Sequence, residues 1–184
     1  MAQKDHHTGN LSPEFALLGF LITEPGHGYD LHQRCVIELG HVWHLSQSQA
    51  YAILKRLEQR GYINAQTVEQ SKLPARQMLR ITAQGRRRFT EWMEDISVNS
   101  RSIRLEFLTR LYFARKYKPE KAAQIYQAQC DAINLTIERL ESLLANLPPE
   151  QQFNQLSLDL RLRQMKLIQE WMNDIKTKIF DSKE

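Results

Sequence analysis

Leu45-Ser46-Gln47-Ser48-Gln49-Ala50-Tyr51-Ala52-Ile53-Leu54-Lys55-Arg56-Leu57-Glu58-Gln59-Arg60-Gly61 reads as one complete helix. Ser46 stands where a helix cap belongs, with a hydroxyl able to accept from a first-turn N–H, and Gly61 follows Arg60 at the far end. Ala50, Ile53, Leu54 and Leu57 fall within about 100° of one another on a 3.6-residue wheel, which turns them toward a core. Opposite them lie Ser48, Ala52, Lys55 and Gln59, flanked by Tyr51 and Arg56. The outer face is therefore small near its N-terminus and basic farther along.

Two helices precede this one. Ser12 caps the first, Pro13 takes its first helical position, Glu14 favours the positive end of its dipole, and it runs to about Ile22. Glu24-Pro25-Gly26-His27-Gly28 breaks the chain, and Tyr29 to Leu39 forms a second helix that Gly40 can end in the left-handed region. Downstream, Ile63 to Val68 and Gln77 to Ile81 read as two strands around Gln70-Ser71-Lys72-Leu73-Pro74, a hairpin with a basic tip. Thr82 caps a fourth helix, Ala83 to about Asp95, with Arg86-Arg87-Arg88 in its first turns and Phe89, Trp92 and Met93 for packing. Three helices, a hairpin and a connecting helix make a winged helix-turn-helix, whose third helix has the shape to enter a major groove.

Composition agrees with a mostly α fold. The 184 residues leave room for one domain or two small ones, and 42% hydrophobic with 25% charged residues excludes disordered and collagen-like classes. Seven Gly and six Pro are few for a chain of tight hairpins. The longest apolar stretch, Phe15 to Ile22, is far short of the roughly 20 residues of a membrane span. Met1 to Asn10 is a polar tail without a signal-peptide pattern. Cys35 and Cys130 match no zinc or short disulfide spacing and read as reduced, buried thiols of a cytoplasmic protein. The net charge of +4 says little, but residues 55–88 hold nine basic side chains against Glu58 and Glu69. Such a local excess is the footprint of a polyanion partner.

His27-Gly28-Tyr29-Asp30-Leu31, Gly40 to Trp43, Leu45-Ser46, Tyr51, Leu54-Lys55-Arg56-Leu57-Glu58, Arg60-Gly61, Arg76 to Thr82 and Gly85 together resemble the signature of the PadR family of transcriptional regulators. The resemblance spans about residues 12–95. Glu106 to Phe113 also resembles the opening of the helical C-terminal domain of longer members. Ala52 departs from the Pro common there, and Gln77-Met78-Leu79 from a basic residue followed by aromatics. The resemblance implies a dimeric repressor that binds an inverted-repeat operator and is released by a small-molecule effector or another signal. From the residues themselves, Ser46, Gln47, Ser48 and Tyr51 are the expected DNA contacts at the helix N-terminus, Lys55 and Arg56 suit phosphates, and Lys72 and Arg76 project on the wing.

Residues 96–184 have a different pattern. Pro119 starts a helix carrying Tyr126, Ile133, Ile137, Leu140, Leu144 and Leu147, which Pro148-Pro149 stops. The last helix, about Glu150 to Phe180, carries one stripe of Phe153, Leu156, Leu160, Leu167 and Trp171 and another of Leu158, Leu162, Met165, Met172, Ile175 and Ile179. Two adjacent stripes leave a wide apolar band that a two-helix neighbour from the same subunit is not expected to cover alone, so residues 96–184 are expected to dimerise, through Leu156, Leu160, Leu167, Trp171 and Ile175, and residues 1–95 to bind DNA. His41 with His44, or His27, His32 and Cys35, lack a four-ligand zinc pattern, and no phosphate loop or catalytic triad order appears. No cofactor, metal or enzyme activity is expected, and no effector-binding residue is identifiable. The alternative from another class is a winged helix that binds protein rather than DNA.

Overall fold

The computed structural model describes residues 13–70 and 73–180. The chain forms two compact units, Met1–Asp95 and Ile96–Glu184. The polar tail, the expected cap Ser12 and the wing-tip Lys72 lie outside the described residues.

The first unit is three helices, a small sheet and a fourth helix. Helix α1 (Glu14–Phe20) is buried along its whole length. Pro13, expected as the first helical residue, is instead the cap residue. The helix also ends two residues sooner than its apolar run, because Leu21 and Ile22 donate to Leu18 and Gly19, three residues back, in a tightened turn. Helix α2 (Gly28–Leu39) begins at Gly28 rather than Tyr29 and buries Leu31, His32, Cys35 and Leu39. Gly40 departs from expectation: its φ of −64° is right-handed, and what it requires is absence of a Cβ, which would strike the Val36 carbonyl. Burial pushes the Cys35 thiol up to about 11, with Glu38 adding to the effect.

Helix α3 (Gln47–Gln59) buries Ala50, Ile53, Leu54 and Leu57, the face its periodicity selects. Strands β2 (Ile63–Gln70) and β3 (Leu73–Ile81) pair antiparallel and run closer to the tip than the sequence suggests. Gln70, Leu73 and Pro74, expected in the loop, are strand residues. The register slips between Val68 opposite Arg76 and Gln70 opposite Leu73, which leaves Pro74 at an irregularity where no ladder donor is needed. The segment expected only to break the helices contributes strand β1 (Gly26–His27), giving the sheet order β1-β3-β2.

Helix α4 (Ala83–Met93) closes the unit. Its Trp92 stacks on Phe15 of α1 at 4.6 Å between ring centroids, and Phe89 and Trp92 are buried. Two of its three arginines are engaged locally: Arg86 donates to the Ile22 carbonyl at 3.0 Å, and Arg88 lies over Phe15 and beside Glu91.

The second unit starts with a short helix, α5 (Ser100–Ser102), continued by a π-helical turn over Ile103–Phe107 and by α6 (Leu108–Tyr117). Asn99 and Ser102 cap one another reciprocally. Arg110 is almost wholly buried, and its guanidinium reaches Glu106 at 3.0 Å and Ser97 at 3.2 Å. The side-chain amide of Gln129 accepts from the Ser97 backbone N–H and donates to the Ser97 carbonyl. Helices α7 (Pro119–Ala145) and α8 (Gln152–Phe180) are antiparallel, as Tyr126 to Met172, Asn134 to Gln169 and Glu141 to Lys166 show.

Thr82 joins α3, the wing and α4. Its hydroxyl oxygen accepts from Gly85 N at 3.1 Å, and the hydroxyl donates to the Gly61 carbonyl at 2.7 Å, beside a Gly61 whose φ of 72° is left-handed. Thr82→Ala should therefore cost about 1–2 kcal/mol, the range for losing a helix cap, while Thr82→Ser recovers most of it. Urea unfolding checks this, and equal midpoints for all three proteins would contradict it.

Candidate nucleic-acid interface

The first turn of α3 is held by a reciprocal cap. Ser46 Oγ accepts from Gln49 N at 3.3 Å, and Gln49 Oε1 accepts from Ser46 N at 3.0 Å. Both side chains are thus committed to building the helix end, and Ser46 is a cap before it is a contact. The N–H groups of Gln47 and Ser48 precede the capped one and have no intrahelical carbonyl to bond, the arrangement that favours an anion at a helix start.

Ser48, Ala52 and Lys55 are exposed along the face opposite the core, with the exposed Tyr51 and Arg56 flanking them and the exposed Gln47 at the first turn. Of the sequence-predicted helix residues, Ser48, Tyr51, Lys55 and Arg56 thus share the outer side of α3, and Gln47 lies at its first turn toward the core edge. The wing candidates are less closely placed: Arg76 is located by its backbone, opposite Val68 on β2, and Lys72 is not described. The basic excess of residues 55–88 is also partly used inside the unit. Arg60 pairs with the buried Glu14 at 3.6 Å, and Arg86 and Arg88 bond as described above. Lys55, Arg56, Arg80 and Arg87 remain at the exposed surface.

Beside this face is a cleft of about 720 Å³, bounded by His27, Gly28, Tyr29 and Asp30 at the start of α2, by Tyr51, Leu54, Lys55 and Glu58 of α3, and by Gln77 and Leu79 of β3. His27 Nδ1 lies 2.9 Å from the Gln77 carbonyl, which ties the start of α2 to the wing. An ideal Cβ on Gly28 would stand 2.9 Å from Tyr51 Cε1. The tyrosine ring therefore rests on the α2 backbone. His27, Tyr29 and Gln77 border this cleft beside α3, a neighbourhood that periodicity did not indicate. The signal lay in the short strand β1, and a two-residue strand has no periodicity to read.

On α8, the stripe of Phe153, Leu156, Leu160, Leu167 and Trp171 is exposed. The other stripe faces its own unit, with Leu162, Met165, Met172 and Ile175 buried. Ile175, expected at the dimer surface, is thus a correction: it sits 6% exposed on the side of α8 that packs within its own unit, and only the Phe153 to Trp171 stripe remains open. Among the described residues no helix is long and apolar enough to cross a membrane, and no group of three or more His, Cys, Asp or Glu is placed to hold a metal.

Residues 17–91 match the family described as Transcriptional regulator PadR-like family. The Negative transcriptional regulator PadR of Bacillus subtilis (strain 168) is 26% identical over 140 residues, which cover 74% of this chain and 77% of that protein. Two solved structures of Bacillus subtilis PadR are similar as well. In complex with operator DNA it is 24% identical with a TM-score of 0.46, covering 90% of this chain and 98% of that one. In complex with p-coumaric acid it is 23% identical with a TM-score of 0.41, covering 93% and 96%.

The Gly28 contact gives a test of how Tyr51 is held. Gly28→Ala places a methyl against the ring edge, so Tyr51 must swing outward while α2 gains a better helix former. Melting temperature should hold within a few degrees, whereas affinity for duplex DNA should fall several-fold in a fluorescence anisotropy titration. An unchanged affinity would show that the position of Tyr51 does not matter.

Proposed function

We propose, with residues 17–91 as a PadR-like domain for the premise, that this chain is a sequence-specific DNA-binding repressor, which reads a major groove with the N-terminal half of α3 and acts as a homodimer. The observation that carries the reading is the exposed outer side of Ser48, Tyr51, Lys55 and Arg56, with Gln47 exposed at the capped helix start, set on a buried core face and flanked by the β2–β3 wing. Gln47, Ser48 and Tyr51 contact base edges and the nearest phosphate, Lys55 and Arg56 contact phosphates farther along, and Arg76 with Lys72 reaches the neighbouring backbone from the wing. The Negative transcriptional regulator PadR of Bacillus subtilis, at 26% identity, supports repression as the sign of regulation. Nothing in this reading requires catalysis or a cofactor, and the protein works in the cytoplasm, where the DNA is. A small-molecule effector that releases the DNA belongs to the same reading.

The second copy docks on the open stripe of α8. Phe153, Leu156, Leu160, Leu167 and Trp171 recur at intervals of three, four or seven residues, the seam spacing of packed helices, and the other stripe is already engaged within its own unit. Two reading heads related by a two-fold axis fit an inverted repeat, with half-site centres a whole number of turns apart, about 34–36 Å for one turn.

Duplexes selected from a random pool provide the tests. Lys55→Ala and Arg56→Ala should weaken selected and random duplexes alike and flatten the salt dependence by about 0.9 in slope for each lost phosphate contact. Ser48→Ala should cost affinity for the selected duplex alone. Equal losses from all three would place the wrong part of α3 in the groove.

For assembly, Leu156→Glu combined with Leu160→Glu puts carboxylates on the seam. Analytical ultracentrifugation should then report a monomer that loses most of its affinity for the full inverted repeat, yet binds a single half-site as the wild type does. A double variant that stays dimeric with full operator affinity would remove α8 from the interface.

A further inference from the structure

The start of the reading helix is tethered from behind by a buried histidine. His32 lies on the core side of α2, 8% exposed, and its Nε2 is 2.8 Å from the carbonyl oxygen of Leu45. A carbonyl can only accept, so Nε2 carries the proton. Nδ1 has no hydrogen-bond partner among the described residues. The ring therefore makes one directed bond, and that bond ends on the residue immediately before the Ser46 cap.

We propose that His32 is a positioning residue for sequence readout: by fixing the Leu45 carbonyl it sets where α3 begins, and so where Gln47, Ser48 and Tyr51 stand against the base edges. The proposal rests on the DNA-reading assignment of α3 made above. The connection from α2 to α3 shows why a tether is placed there. At its near end, Val42 N and Trp43 N both bond the Leu39 carbonyl, at 2.9 and 2.8 Å. Then comes the exposed His44, and the chain is gripped again at Leu45, whose side chain is buried and whose carbonyl meets His32. The reciprocal cap of Ser46 and Gln49 follows at once.

One turn farther along, Tyr51 rests on Gly28. Helix α2 thus holds α3 at two levels, by a hydrogen bond to the residue before the Ser46 cap and by a ring contact at Tyr51. Hydrogen bonds to base edges weaken steeply with misplacement, and a productive constellation has to be held within about 0.5 Å. A single directed bond at the origin of the helix acts on every contact its first turn makes. Phosphate contacts by the long side chains of Lys55 and Arg56 tolerate the same displacement. Loss of His32 should therefore be felt in specificity ahead of overall affinity or stability.

The test uses the full chain with His32→Leu, which fills the space without a donor, and His32→Gln, whose amide nitrogen reaches the Nε2 position. Three quantities are read: the melting temperature, amide hydrogen exchange at Gln49 and Ala50, and the ratio of affinities for a selected and a random duplex. His32→Leu should melt within a few degrees of wild type, exchange Gln49 and Ala50 about tenfold faster, and lose about tenfold in the ratio with its affinity for random duplex unchanged. His32→Gln should restore exchange and ratio to within about threefold of wild type. Were His32→Leu to fail to fold, His32→Asn, whose amide reaches the Nδ1 position, takes its place with the same expectations.

Wild-type exchange and ratio in the donor-free variant, or a folded His32→Gln as impaired as that variant, would overturn the proposal. Should the wild-type protein itself not distinguish selected from random duplex, the DNA-reading assignment fails, and the exchange arm alone still decides whether His32 holds the start of α3.

Discussion

Burial of one face of α3 is the constraint on which the first unit depends. Ala50, Ile53, Leu54 and Leu57 are almost completely removed from water, and each of the three larger side chains contributes about 1.5–3 kcal/mol when fully buried. A helix has only two sides. Once these four residues choose the inside, Ser48, Tyr51, Ala52, Lys55 and Arg56 have no alternative but the outside. The proposed reading surface is thus a consequence of the core, and its orientation is as robust as the packing beneath it.

The fixed face still leaves the helix free to slide and tilt, and the polar contacts around it remove that freedom. His32 holds the residue before the cap, the Ser46–Gln49 pair closes the first turn, and Tyr51 lies against Gly28. At the other end Gly61 turns through a left-handed conformation, and Thr82 bonds its carbonyl while starting α4. Gly85 is required there because a Cβ would strike the Tyr62 carbonyl. Apolar burial supplies the energy of the arrangement, and a few directed bonds supply its register.

The second unit is organised by similar means with the proportions changed. Its apolar contacts between α7 and α8 are ordinary helix packing, whereas its first segment is set by a buried polar cluster of Ser97, Gln129, Arg110 and Glu106. A buried guanidinium is costly unless its donors are met, so this cluster fixes the geometry around the π-helical turn of Ile103–Phe107 more than it adds stability. Such a turn carries one extra residue per hydrogen-bonded ring, and side chains after it point differently from an uninterrupted α-helix.

The sequence by itself determined the elements whose signals are local or periodic. The Ser46 and Thr82 caps, the core face of α3, the Pro119 start of α7 and the two stripes of α8 could all be read because capping chemistry and the 3.6-residue period involve residues close together in the chain. Tertiary structure alone decided the rest. Strand β1 exists because Gly26 and His27 find Leu79 and Met78 more than fifty residues on, and the right-handed Gly40 answers a steric contact with Val36 rather than a turn preference. Which stripe of α8 stays open follows from where α7 lies, and Ile175 is closed with the stripe on which its spacing already placed it. The basic run of residues 55–88 divides in the same way, since Arg60, Arg86 and Arg88 meet Glu14, the Ile22 carbonyl and Phe15 across the unit. Hydrogen-bond partners and close approaches between residues distant in sequence leave no period and no local motif behind, so only the folded chain reveals them.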